Sequence, residues 1–250
     1  SANPLQLTKT HHEGSVLCLR LSADQTFLVS GSSDSTCLVW SLPHLEPERR
    51  LRGHTGGVLD ICLVKHYIVS SSRDSTIRVW EKNTGEELRR LVGHAGPVNA
   101  LASQDMHVVS ASGDTTVKLW DIETGQCLRT FQGHTRGLAC VKLEGNFVYS
   151  GGQDNKLKMW DVRTGQCLSS LTGHTDLIRT IDTCEGKVVT GSYDRTIKVW
   201  DSKQNKCVLS FQSGHSSWIF NCLLNRTKII SAGQDKKIMV LDFGQGLTLI

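Results

Sequence analysis

A histidine preceded by glycine returns along this chain at a near-constant interval. The pairs are Gly53-His54, Gly93-His94, Gly133-His134, Gly173-His174 and Gly214-His215, spaced by forty residues and once by forty-one. An aspartate follows each histidine twenty residues on (Asp74, Asp114, Asp154, Asp194, Asp235). In the first four units a tryptophan comes six residues after that (Trp80, Trp120, Trp160, Trp200). Such regularity means one supersecondary unit copied along the chain, each copy burying its apolar faces against its neighbours.

The unit reads as strands. After Gly133-His134 come Leu138-Ala139-Cys140-Val141-Lys142-Leu143, then Asn146-Phe147-Val148-Tyr149-Ser150, then Lys156-Leu157-Lys158-Met159-Trp160, and last Cys167-Leu168-Ser169-Ser170-Leu171. Turn residues separate these β-rich runs, and no helical period intervenes. Four antiparallel strands per unit make one blade, and blades stacked radially protect their edges, so the spacing predicts an all-β propeller. Six copies are counted, at about 11–50, 51–90, 91–130, 131–170, 171–211 and 212–250, forming one domain over 1–250. The count becomes seven if an N-terminal blade is missing. The first copy is looser: His12, Asp34 and Trp40 keep the pattern, with two extra residues in its first hairpin. The last has Leu241 where tryptophan is expected. Closure needs an outer strand for the blade at the chain ends, and Leu5–Lys9 and Leu247–Ile250 are the two candidates.

Composition agrees. An apolar content of 38% with 23 glycines suits many short, half-exposed strands. A net charge of +4, with both signs interspersed, is too mild for a nucleic-acid footprint. No apolar run is long enough for a membrane span, and the first residues hold no secretory segment. Nine cysteines, an odd number without C-x-x-C spacing, read as free thiols in a reducing compartment, cytoplasmic or nuclear.

The Gly-His pairs, the turn aspartates and the dipeptides Trp120-Asp121, Trp160-Asp161 and Trp200-Asp201 together resemble the WD-repeat family over nearly the whole chain. In that family the histidine bridges the turn aspartate and a strand Ser or Thr, which bonds the indole. Here the matching hydroxyls are Ser30, Ser70, Ser110, Ser150, Thr190 and Ser231. The resemblance therefore implies that the recurring His and Asp are structural, with no catalytic residue, metal site or cofactor. No Ser/His/Asp or Cys/His set and no phosphate-cradling glycine loop breaks the repeat, so an enzyme is not expected.

Function should lie where the repeats differ. Two positions per repeat should face one end of the ring, five residues after the histidine and immediately before the turn aspartate. They read Leu17/Ser33, Leu59/Arg73, Asn99/Gly113, Ala139/Gln153, Arg179/Tyr193 and Phe220/Gln234. The histidine loop adds Ser15, Arg136 and Trp218. Arg73, Arg136 and Arg179 are expected on one rim with no carboxylate among these positions, which suits phosphate or carboxylate recognition. Tyr193, Trp218 and Phe220 form an aromatic sector on which a peptide could anchor.

A closer resemblance sharpens the expectation. Gly31-Ser32-Ser33-Asp34-Ser35-Thr36, Gly53–Leu59, Val109–Asp114, Gly133–Cys140 and the ending Val240-Leu241-Asp242-Phe243 look like the second to last repeats of F-box/WD substrate receptors of the beta-TrCP type. Those receptors belong to SCF ubiquitin ligases and bind doubly phosphorylated peptides on the top face. The resemblance implies such a role for Arg73, Arg136, Arg179, Asn99, Leu59, Ser15 and Ser33. The family's first repeat and its F-box have no counterpart in these residues, and Gln153 stands where the family has serine. Two functions are weighed: a receptor for acidic or phosphorylated peptides working with ubiquitin ligase subunits, and a constitutive scaffold for unmodified proteins.

Overall fold

The computed structural model describes residues 7–212 and 214–244. Every regular element among them is a β-strand, arranged as six antiparallel sheets. Five sheets have four strands in sequential order and the last has three. We number these blades 1 to 6, spanning 16–52, 58–91, 98–131, 138–171, 178–211 and 219–242. Blade 3 is representative, with strands Val98–Gln104, His107–Ser112, Val117–Asp121 and Cys127–Phe131. The six-bladed, all-β reading holds. Five blades have four strands, and the sixth has three among the described residues. Residues 5–6 and 247–250 of the candidate closing strands lie outside the described part, and Leu7–Lys9 are irregular.

In blades 2 to 5 the first hairpin is short because the repeat leaves two residues for its turn, as at Asp105-Met106. In blade 1 that turn is longer, and the Ser22 hydroxyl accepts the Thr26 and Phe27 amides to close it. All nine cysteines are free. Burial pushes the Cys37, Cys62, Cys140 and Cys222 thiols up to about 12, so these four are packing groups rather than nucleophiles.

The core lies between blades. One cluster joins Val29, Val39 and Leu51 of blade 1 to Val58, Ile61 and Trp80 of blade 2. Equivalent clusters join blades 2 and 3, 3 and 4, 4 and 5, and 5 and 6. Trp80, Trp120, Trp160 and Trp200 therefore each pack against the preceding blade. The same indole crowds the glycine before the histidine in blades 3 to 5: a Cβ on Gly93 would stand 3.2 Å from the edge of Trp120, and one on Gly133 or Gly173 would stand 3.3 Å from Trp160 or Trp200. Blade 1 has His11 at this place, and its ring stands edge-on to Trp40 at 5.5 Å.

Candidate recognition face

The histidine clamp is present in all six blades. In blade 3, His94 Nδ1 lies 2.7 Å from Asp114, its Nε2 lies 2.7 Å from Ser110 Oγ, and the Trp120 indole donates to that Oγ at 2.8 Å. The ionised Asp114 carboxylate only accepts, so His94 Nδ1 carries the proton. Nε2 of the neutral ring then accepts the Ser110 hydroxyl, whose oxygen accepts the indole N–H. A neutral histidine satisfies every group. The looser first unit keeps the set intact, with His12 bonded to Asp34 at 2.9 Å and to Ser30 at 2.7 Å. Blade 6 keeps His215, Ser231 and Asp235. Its Ser231 receives no indole because Leu241 has replaced the tryptophan.

This asymmetry gives a direct test. Ser110→Ala strands two buried partners, the Trp120 indole and His94 Nε2, whereas Ser231→Ala strands only His215 Nε2. At about 1–3 kcal/mol per orphaned group, Ser110→Ala is expected to destabilise by about 2–4 kcal/mol and Ser231→Ala by about half that. Urea melts of the two variants decide it.

Burial holds the His54 and His94 imidazoles below their ordinary 6.5, against the pull of Asp74 and Asp114. Burial opposes ionisation of Asp114 too. Bonds from the Thr116 hydroxyl, the Ala95 amide and His94 outweigh it and hold the carboxyl at about 2. For the histidines, the unfolded chain takes up protons near 6.5 while the folded chain resists them, so stability is full above that pH and falls below it. For Asp114, stability is full above the unfolded value of 3.8 and is lost as pH drops toward about 2. The urea midpoint is expected to be level from about pH 8 to 7, to decline below about 6.5, and to fall faster below about 4. A midpoint that rises on acidification would contradict the neutral-histidine clamp.

With the clamps assigned to structure, the positions that vary stand out at one end of the ring. In every blade the pairing of the first two strands slips by one residue, so that Val16 faces Ser32 but Cys18 faces Gly31, leaving Leu17 as the extra residue. The same slip leaves out Leu59, Asn99, Ala139, Arg179 and Phe220. A bulge re-aims its side chain. All six bulge residues line one central cavity of about 860 Å³. Asn99 Nδ2 donates to the Leu138 carbonyl at 2.6 Å, and Arg179 Nη1 reaches the Ala139 carbonyl at 3.4 Å, so both lean on blade 4. The bulge was not foreseen from sequence, since register shows only when the partner strand is known.

The second set of positions is fixed by another repeated bond. The amide immediately before each turn aspartate donates to the carbonyl three residues after the histidine. The donors are Ser33, Arg73, Gly113, Gln153, Tyr193 and Gln234, and the acceptors are Ser15, Gly57, Pro97, Gly137, Leu177 and Trp218. Both loops of every blade are thereby tied together at the same end. Ser15, Ser33, Arg73, Arg136 and Gln153 are exposed there, outside the cavity lining. The three arginines therefore share an end of the ring, but only Arg179 borders the cavity.

The expectation of an acid-free rim is corrected. Asp176 occupies in blade 5 the loop position that Arg136 holds in blade 4, and it is exposed. Asp60 lines the cavity beside Leu59. Burial raises the Asp60 carboxyl, while Arg20, the Leu101 and Ile61 amides, and Arg179 favour its charged form. Among the described residues none of Arg73, Arg136 and Arg179 forms a salt bridge, whereas Arg20, Arg49, Arg50, Arg78 and Arg226 each do.

Tyr193, Trp218 and Phe220 form one aromatic group. Tyr193 and Trp218 stack at 4.4 Å with planes 7° apart, and Phe220 meets Tyr193 edge-on at 6.2 Å. Trp218 and Phe220 are each 43% exposed, so this stack offers a flat surface rather than a filled core.

The family model described as "WD domain, G-beta repeat" matches residues 3–41, 45–81, 85–121, 125–161 and 165–201. The chain belongs to the WD-repeat family. The four matches from residue 45 onward each begin before the outer strand of one blade and run into the third strand of the next, and the first ends in the third strand of blade 1. The sixth blade, with Leu241 in place of the indole, has no match of its own. Among curated proteins the chain is similar to human "WD repeat- and FYVE domain-containing protein 4", at 42% identity over 52 residues. That stretch is 21% of this chain and 2% of the human protein, so the shared part is a small piece of a much longer molecule. As a WD-repeat propeller the chain is a protein–protein interaction module. No helix among the described residues is long and apolar enough to cross a membrane.

Proposed function

We propose that this WD-repeat propeller is a recognition module that captures acidic or phosphorylated peptides on the face bearing Arg73, Arg136 and Arg179, and presents them to a ubiquitin ligase. The observation that carries the reading is the exposure of three guanidiniums at one end of the ring without salt-bridge partners among the described residues. Arginine away from an acid retains its planar fork for an incoming phosphate or carboxylate. Asp176 adds one exposed carboxylate to this face, while Asp60 in the cavity is paired with Arg20. The ligase link rests on the resemblance of the repeats to F-box/WD receptors. Leu59, Asn99, Ser15, Ser33 and Gln153 would complete the contact surface with apolar and neutral hydrogen-bonding groups.

The deciding experiment is a binding titration of acidic peptides with and without phosphoserine, repeated at rising salt. Tighter binding of the phosphorylated form, weakened by salt, is expected. Equal affinity for both forms would end the phosphate reading.

The Tyr193–Trp218 stack supports a second reading, a constitutive scaffold for unmodified partners. Aromatic side chains in a rigid exposed stack act as binding anchors. Capture of partners that survives loss of the arginines but fails in Trp218→Ala would favour the scaffold over the receptor.

A further inference from the structure

We propose that blades 4 to 6 carry a second binding site on the recognition face, outside the cavity, for a carboxylate-rich stretch of a partner protein that also bears an aromatic or long apolar side chain. Its cations are Lys156, Arg195, Lys236 and Lys237, and its anchor is the Tyr193–Trp218 stack. The two residues after each turn aspartate carry the first observation. They are Ser35-Thr36, Ser75-Thr76 and Thr115-Thr116 in blades 1 to 3, but Asn155-Lys156, Arg195-Thr196 and Lys236-Lys237 in blades 4 to 6. The first residue of every pair has a φ between 61° and 75°, so the six turns share one backbone shape. Side chains therefore leave the ring from equivalent points, and only the last three blades put charge there.

Two of these lysines weaken the clamp in which they stand. Thr36, Thr76, Thr116 and Thr196 each donate to the turn aspartate twice, from the hydroxyl at 2.6–2.7 Å and from the amide at 2.8–2.9 Å. Lys156 and Lys237 lack the hydroxyl, and their amides reach Asp154 and Asp235 only at 3.3 Å. A residue that breaks a bonding pattern kept in the other blades marks a position given over to function. Arg195, Lys236 and Lys237 are exposed and Lys156 is half-buried. None of the four forms a salt bridge among the described residues.

The fold joins the cations to the aromatic stack. Arg195 stands two residues beyond Tyr193, on which Trp218 stacks at 4.4 Å. Lys236 stands two residues beyond Gln234, whose amide donates to the Trp218 carbonyl at 2.8 Å and whose side chain accepts the Ser217 hydroxyl at 2.6 Å. None of the four cations lines the cavity. The turn aspartates are consumed by the clamps, which leaves Asp176 as the exposed acid of the neighbouring histidine loop. Four cations against one acid call for a ligand with several carboxylates, and the stack calls for an apolar side chain beside them. The mild net charge of +4 favours a peptide over a nucleic acid.

The probe is a synthetic peptide of glutamates around one tryptophan, compared with its glutamine counterpart by fluorescence anisotropy. Only the glutamate peptide is expected to bind. Lys156→Thr and Lys237→Thr install the residue of blades 1 to 3. Each should weaken binding about two- to fivefold, yet raise the melting temperature by about 2–4 °C through the regained hydroxyl bond. Adding Arg195→Ser and Lys236→Ser should bring the loss beyond about tenfold. Lys65→Ser, in a hairpin turn at the opposite end of the ring, removes the same charge and should leave affinity unchanged. Unchanged affinity in the fourfold variant, or an equal loss in Lys65→Ser, would overturn the site. An oligouridylate that binds more tightly than the glutamate peptide would overturn the peptide class of ligand. The phosphopeptide comparison at Arg73 and Arg136 is a separate measurement, and equal binding of both forms there leaves this outer site standing.

Discussion

Replacing Trp120 by alanine is expected to cost about 3–5 kcal/mol, the largest effect of any single indole-clamp substitution considered. Trp120 is 1% exposed and packs with Val69, Ile77, Val79 and Leu91 of the preceding blade. Its loss opens a cavity between two sheets, which close packing on both sides keeps from collapsing. It also removes the indole hydrogen bond to Ser110 Oγ, which leaves the Ser110–His94–Asp114 chain one buried donor short. The matched substitution in blade 6, Leu241→Ala, removes a half-buried side chain that has no place in a proton chain, and about 1–2 kcal/mol is expected. Urea unfolding of the two variants beside the parent protein measures the contrast. Equal costs would mean that the indole does no more than fill space.

The second large effect concerns binding. Arg136→Ala and Arg73→Ala are each expected to weaken a phosphopeptide by more than about tenfold, since a charge-assisted hydrogen bond contributes about 1.5–3 kcal/mol. Neither residue has a salt-bridge partner among the described residues, so little folding stability should be lost with it. Arg136→Lys separates charge from shape. It keeps the positive charge but lacks the bidentate fork, and an intermediate affinity is expected. Arg179 differs, because its Nη1 touches the Ala139 carbonyl and its charge favours the ionised form of Asp60. Arg179→Ala should therefore lower affinity and also shift the pH dependence of binding. Isothermal titration of the four variants against phosphorylated and unphosphorylated peptide separates these roles. Unchanged affinity in Arg73→Ala and Arg136→Ala would remove the rim from the recognition site.

The architecture was readable because its determinants are obligatory pairs. A buried histidine needs its acid and a buried indole needs an acceptor, so His94, Asp114, Ser110 and Trp120 could be matched across the repeats before any coordinates. The recognition face was readable only in part. Arg73, Arg136 and Arg179 were placed at one end by counting from the histidine, and the bonds between the loops explain why the counting works. That Arg179 borders the cavity while the other two stand outside it depends on a bulge, and a slip in strand pairing leaves no mark on one strand alone. Asp176 stands two residues after His174 as Arg136 does after His134, so a carboxylate at this end of the ring is legible from the repeat alone. The sequence raised closure as a question, but the exposure of apolar faces on blades 1 and 6 is not legible in single residues. Val16, Leu19, Ile238 and Val240 are the residue types that the inner blades bury, and only their exposure sets them apart.

The bond from the amide before each turn aspartate to the carbonyl of the histidine loop separates scaffold from message. Since the main chain there is held by its own atoms, the side chains at these sites need not contribute to holding it. Such positions can change identity over time with little risk to folding, so relatives of this chain can acquire new partners by rewriting a handful of letters on a fixed page. Serine, arginine, glycine, glutamine and tyrosine already occupy that one site in five of the six blades. A set of propellers grafted with different residues only at these places should share one melting temperature while differing widely in what they bind.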